Sequence, residues 1–205
     1  MIQQGRCSIP TRVLLTGVPG VGKSTIASRI QSLQPDIVVH EVGSAMAELG
    51  VRRGIIKSAS ELHSLSVAQR AVLQDAAAER IRSSSENVSL VVAHVLVRSS
   101  SGFIAGFSQE AIVKLSVTGI VLLSAYSGEV YGRQVMKVGG KRAVASSPTE
   151  IELFQRLVES SVVQQAMLLG VPFEVVENSQ ERIGHTASSI LRFLAEQDPR
   201  DSLHY

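Results

Sequence analysis

Tryptophan is absent from this 205-residue chain, and aromatic residues make up only 4% of it. So few rings argue against a stacking platform for single-stranded nucleic acid. Cysteine occurs once, as Cys7, so no internal disulfide can form, and the composition fits a reducing cytoplasm. Neither sign of charge dominates. Twenty Lys and Arg against 18 Asp and Glu leave a net charge of +2, too little to argue for nucleic acid or a membrane surface. No apolar run reaches membrane-spanning length, and residues 1–11 lack the apolar core of a signal peptide. What remains is 44% hydrophobic and 19% charged, an ordinary globular balance. The length suits one domain with a sizeable core.

Against this plain background stands one dense motif. Val13, Leu14 and Leu15 form a short apolar run suited to a buried strand. Gly17-Val18-Pro19-Gly20-Val21-Gly22-Lys23-Ser24 then spells G-x-x-x-x-G-K-[ST]. Glycines let the backbone turn tightly and approach an anion closely. Ile26, Ile30 and Leu33 follow at helical spacing. A strand, a glycine loop and a helix N-terminus in that order aim backbone N–H groups at phosphate. Lys23 is expected to reach the outer phosphates of ATP, and the Ser24 hydroxyl to ligate Mg²⁺. The nucleotide-binding stretch is therefore Gly17, Val18, Pro19, Gly20, Val21, Gly22, Lys23, Ser24 and Thr25.

Apolar, β-rich runs recur at 12–16, 37–41, 88–97, 119–123 and 173–177. Helical patterns alternate with them at 25–33, 44–49, 60–82, 129–137, 148–169 and 180–196. In the third of these, Leu62, Leu65, Ala68, Val72 and Ala76 fall near one face. The alternation predicts an α/β fold, a P-loop NTPase three-layer sandwich whose central parallel sheet has about five strands and helices on both faces. Ligands of such sheets bind beyond the carboxyl ends of the strands. Residues 12–197 form the expected domain, flanked by flexible segments at 1–11 and 198–205. Residues 97–108 are rich in Ser and Gly, and 137–148 combine glycines with Lys137, Lys141 and Arg142; both read as loops.

Taken in order, five segments resemble the archaeal-type adenylate kinases: VLLTGVPGVGKST, HEVGSAMAELG, AHVLVRSSSGFIAGFS, GRQVMKVGGKR and TEIELFQRLVESSVVQQAMLLG. The resemblance spans most of the chain, and only the P-loop within it is highly specific. It implies transfer of the ATP γ-phosphoryl group to AMP or a related nucleoside monophosphate. It also implies a lid near residues 133–148 that delivers Arg133 and Arg142 beside Lys23, and a homo-oligomer of the trimeric kind seen in the family. Arginines suit this task because the transferring group carries dispersed negative charge. Lid closure also excludes water and so favours an acceptor over hydrolysis.

The sequence departs from the family pattern at three places. Where the family has Asp-Thr-His after its third strand, this chain has Val92, Ala93 and His94, and no Asp or Glu occurs from 88 to 97. His63 stands where the family has an acceptor-side arginine, with Arg70 close by. Gly140 stands at the first lid arginine, beside Lys141. Glu41 reads as an exposed carboxylate rather than a site residue, and His94 reads equally as a half-buried structural histidine or a substrate-positioning one. Two functions compete: a nucleoside monophosphate kinase, or a nucleotide-binding, slowly hydrolysing P-loop protein with a regulatory or assembly role. A small-molecule kinase with another acceptor is a third, lesser alternative.

Overall fold

The computed structural model describes residues 10–99, 102–137 and 147–198. Seven strands and seven helices follow one another: β1 (Thr11–Thr16), α1 (Lys23–Leu33), β2 (Val38–Glu41), α2 (Val42–Arg52), α3 (Val67–Arg82), β3 (Val88–Val92), β4 (Leu96–Ser99), β5 (Gly102–Ala105), α4 (Gln109–Leu115), β6 (Gly119–Ser124), α5 (Ser127–Lys137), α6 (Pro148–Leu169), β7 (Phe173–Glu177) and α7 (Ile183–Glu196). Five strands pair in parallel in the order β2-β3-β1-β6-β7. Every residue of β1 is buried, as are the first five of β6. Continuous burial means that both faces of the sheet are covered, as parallel sheets require. Helix α1 packs against α7, α3 against α2 and α4, and α6 against α5, β6 and β7. The expected sandwich is therefore present, with the P-loop at the carboxyl end of its central strand.

Four expectations needed revision. The apolar run 88–97 is not one strand. After β3, Ala93 N–H donates to the Leu15 carbonyl at 3.1 Å and Val95 N–H donates to the Thr16 hydroxyl at 3.3 Å. The first of these continues the β3–β1 pairing by one bond, and beyond Val95 the chain leaves the sheet. It resumes as β4, which pairs antiparallel with β5, so most of the segment 97–108 is a hairpin rather than a loop. Polar Ser and Gly hid the strands because their stabilising contact is elsewhere, on α6. Phe103 lies 5.0 Å from Phe154 with the rings tilted by 48°, and Arg98 pairs with Glu150.

The expected helix 60–82 is likewise two elements. A 3-10 turn covers Ala59–Ser64. Ser66 then caps α3 in a reciprocal box with Gln69, which restarts the helical phase. The buried stripe consequently runs through Leu73, Gln74, Ala77, Ala78 and Ile81, while Ala68 and Val72 are exposed. The pattern at 180–196 also splits, into a 3-10 turn at Gln180–Arg182 and α7. Helix α4 was not foreseen. Seven residues give too little periodicity to read, although Ser108 caps it by accepting from Ala111 N–H at 3.2 Å. Among the described residues no helix is long and apolar enough to cross a membrane.

Phe107, 1% exposed, leads from the hairpin into α4 and joins the single core. Truncating a buried phenylalanine removes its transfer free energy and leaves a cavity. Phe107→Ala is expected to lose about 3–5 kcal/mol of stability, read as a lower urea midpoint at unchanged slope.

Candidate nucleotide-binding site

The loop between β1 and α1 is built as the sequence demands. Gly17, Gly20 and Gly22 have φ of 142°, 83° and 107°, all in the region where a side chain is strained. A Cβ on Gly17 would approach the Leu123 carbonyl oxygen to 2.5 Å, and one on Gly22 would collide with the Asn178 amide. Glycine is thus required twice at each position, by conformation and by space. Ile26 N–H is bonded to the Gly22 carbonyl at 3.0 Å. The N–H groups of Lys23, Ser24 and Thr25 then lie in the first turn of α1, where a helix offers donors and positive dipole to an anion.

Lys23 is 6% exposed. Its ammonium donates to the carbonyls of Gly17 at 2.7 Å and Val18 at 3.0 Å. Ser24 and Thr25 are exposed at the helix start. These groups fit a nucleotide phosphate chain with Mg²⁺: a glycine cradle with no room for Cβ atoms, a helix N-terminus, a lysine and an accessible hydroxyl. Among the described residues no cluster of three or more His, Cys, Asp or Glu could hold a metal ion. The Ser24 hydroxyl would supply one oxygen ligand to Mg²⁺, which takes oxygen ligands and usually keeps several waters.

Side chains from two other elements close on the outside of the loop. From α5, Arg133 donates to Glu129 at 2.6 Å and to the Val21 carbonyl at 3.4 Å, which puts this expected lid arginine against the P-loop. Its neighbour Gln134, 3% exposed, donates to the Pro19 carbonyl at 2.7 Å. Asn178, the first residue after β7 and also 3% exposed, donates to the Val21 carbonyl at 2.7 Å. Glu129, Gln134 and Asn178 were missed in the sequence. The carboxyl-end rule pointed at Asn178, since it immediately follows the fifth strand of the sheet. Arg142, with Lys141 and Gly140, lies outside the described residues, as does most of the expected lid.

Val92 ends β3 beside Leu15 and Glu41 and is 7% exposed, so an apolar side chain occupies the position of the family's carboxylate. Glu41 is exposed and accepts from the Ser44 hydroxyl at 3.1 Å. His63 is exposed on the 3-10 turn, and Arg70 donates to the Leu62 carbonyl at 2.9 Å, holding that turn against α3. His94 stands near Lys23. Burial of its ring, followed by the positive charge of Lys23, pushes its pKa down to about 3, so it is neutral at physiological pH. A cavity of about 590 Å³ lies instead at the amino end of the sheet, lined by Asp36, Glu86, Leu191, Leu194 and Asp198 among others. It is at the wrong end for the ligand of a parallel sheet.

A family model described as an AAA domain matches residues 16–152. The chain belongs to that family. It is 28% identical to an adenylate kinase of Thermococcus onnurineus over 176 residues, covering 85% of this chain and 89% of the relative. It is also 28% identical to an adenylate kinase of Saccharolobus islandicus over 190 residues, covering 88% and 97%. It is a divergent relative of the archaeal adenylate kinases. Similar solved structures include a shikimate kinase from Acinetobacter baumannii, with a TM-score of 0.60, 11% identity and coverage of 94% and 97%. A gluconokinase from Sinorhizobium meliloti gives 0.53, 15%, and 94% and 96%. At such identities the likeness is one of fold.

The depressed His94 pKa has a consequence for stability. In the unfolded chain the imidazole titrates near its ordinary 6.5. The native state gives up protons that the unfolded state keeps, so stability is full above that value and is lost as pH falls toward the folded value. His94→Gln is expected to flatten the fall of melting temperature between about pH 7 and pH 4, measured by circular dichroism.

Proposed function

We propose that this chain is a P-loop nucleoside monophosphate kinase that moves the γ-phosphoryl group of ATP to AMP or a related monophosphate. The observation that carries the reading is Arg133. It is held by Glu129 against the P-loop and brings a guanidinium from the lid helix to the loop that Lys23 closes from within. A phosphoryl group in flight spreads negative charge over its oxygens, and fixed cations on its path stabilise that charge more than the ground state. Lys23 and the first turn of α1 would hold the donor phosphates, and Mg²⁺ would add charge neutralisation there when bound. Arg133, with Arg142 of the expected lid, would face the transferring group. The site residues named from the sequence belong to this proposal, as does the acceptor.

A second reading, nucleotide binding with slow hydrolysis, is favoured by one observation: Val92 is apolar and buried. A valine cannot orient the water shell of a metal, which would slow transfer while leaving ATP affinity nearly intact.

A coupled assay with ATP and a panel of nucleoside monophosphates and small alcohols, beside an ATP-only control, separates the readings. Faster ATP consumption with a monophosphate is the expected outcome. If no acceptor accelerates it over the control, the kinase proposal fails. Lys23→Ala should weaken ATP binding measured by calorimetry, because a cation facing the phosphates is lost. Val92→Asp should raise turnover about tenfold, equivalent to about 1.4 kcal/mol of barrier. A folded Val92→Asp protein with unchanged turnover would show that metal support is not what limits the rate.

A further inference from the structure

Gln134 and Asn178 are odd residues to bury. Each amide uses its nitrogen on a P-loop carbonyl, yet Gln134 Oε1 and Asn178 Oδ1 are buried without a hydrogen-bond partner. A buried acceptor left unpaired lowers stability, and an apolar side chain of similar size would avoid that loss. The opposite amide orientation would turn each oxygen toward a carbonyl oxygen, so the nitrogens are the donors. The positions therefore hold donors at the expense of fold stability.

What those donors fix follows from peptide geometry. A trans peptide points its C=O and the next residue's N–H in opposite directions. Gln134 grips the carbonyl of Pro19, and this orients the N–H of Gly20. Asn178 grips the carbonyl of Val21, and this orients the N–H of Gly22. Gly20 and Gly22 are positive-φ positions with many accessible conformations, and so their peptide planes most need an external restraint. Gln134 also neighbours Arg133 on α5, and both side chains contact the loop.

We propose that Gln134 and Asn178 are positioning residues that hold the P-loop peptides from outside and aim the N–H groups of Gly20 and Gly22 at phosphate, and that Gln134 makes the lid helix α5 sense the occupied loop. This rests on the reading of the loop as a nucleotide site. Restraint of the donors before binding removes an ordering cost that would otherwise weaken affinity.

The test uses Gln134→Met and Asn178→Leu, which keep side-chain bulk and remove the donor. Calorimetry with Mg–ATP and with Mg–tripolyphosphate should show each variant about tenfold weaker than wild type for both ligands, while melting temperature stays the same or rises. A purely structural amide would give the reverse pattern, a lower melting temperature with unchanged affinity, and that result overturns the proposal. In hydrogen exchange, ATP should protect residues 127–137 in wild type and Asn178→Leu but much less in Gln134→Met. Equal protection in all three removes the coupling role of Gln134. If either variant fails to fold, Gln134→Glu and Asn178→Asp are measured from about pH 8 to pH 5. Affinity that recovers on acidification supports the role, because a protonated carboxyl can donate again. Affinity that stays flat at the wild-type value opposes it. Failure of the wild type to bind ATP would overturn the nucleotide reading itself, a result distinct from any difference between variants.

Discussion

Backbone N–H groups and a lysine brought together on one short loop repel one another, and everything at this end of the molecule has to hold them there. Glycine gives the loop its shape but no rigidity. The restraint comes from carbonyls. Lys23 takes those of Gly17 and Val18, while Gln134 and Asn178 take those of Pro19 and Val21. The loop is thus tied to α5 on one side and to the end of β7 on the other. Both anchors exist only because the strand order puts β6 beside β1 and β7 beside β6.

The P-loop is framed by β1, α1 and the ends of β6 and β7. Around it, α2, the 3-10 turn, α3 and the β4–β5 hairpin are separate pieces. In this chain those pieces are held locally: Arg70 on the Leu62 carbonyl, Gln74 on the Gly106 carbonyl and Ser108 N–H, and the hairpin on α6 through Phe103 and Arg98. Kinases with different substrates in their names share this fold at low identity. The fold therefore does not by itself name a substrate, which depends on the side chains it carries.

Val92 marks where this chain departs from the family pattern that it otherwise resembles, while His94 is kept. The valine is apolar and buried at the end of β3, and the histidine two residues on is held neutral by burial and by Lys23. A neutral imidazole can accept or donate one hydrogen bond without adding charge to a site already rich in cations.

The sequence by itself determined the sheet, the P-loop and the family, because those depend on local patterns. A buried parallel strand must be continuously apolar, and a phosphate loop must place glycine and lysine at fixed spacing. Helix α6 was legible residue for residue, since Ser147, Pro148 and Gly170 punctuate its ends. Tertiary structure alone decided the rest. Around the break after Val92, Ala93 bonds to the Leu15 backbone and Val95 to the Thr16 side chain, 78 and 79 residues away in the chain. The hairpin owes its strands to α6 rather than to its own composition. Gln134 and Asn178 carry no motif: a lone amide acquires meaning only when folding sets it against a carbonyl 115 or 157 residues distant.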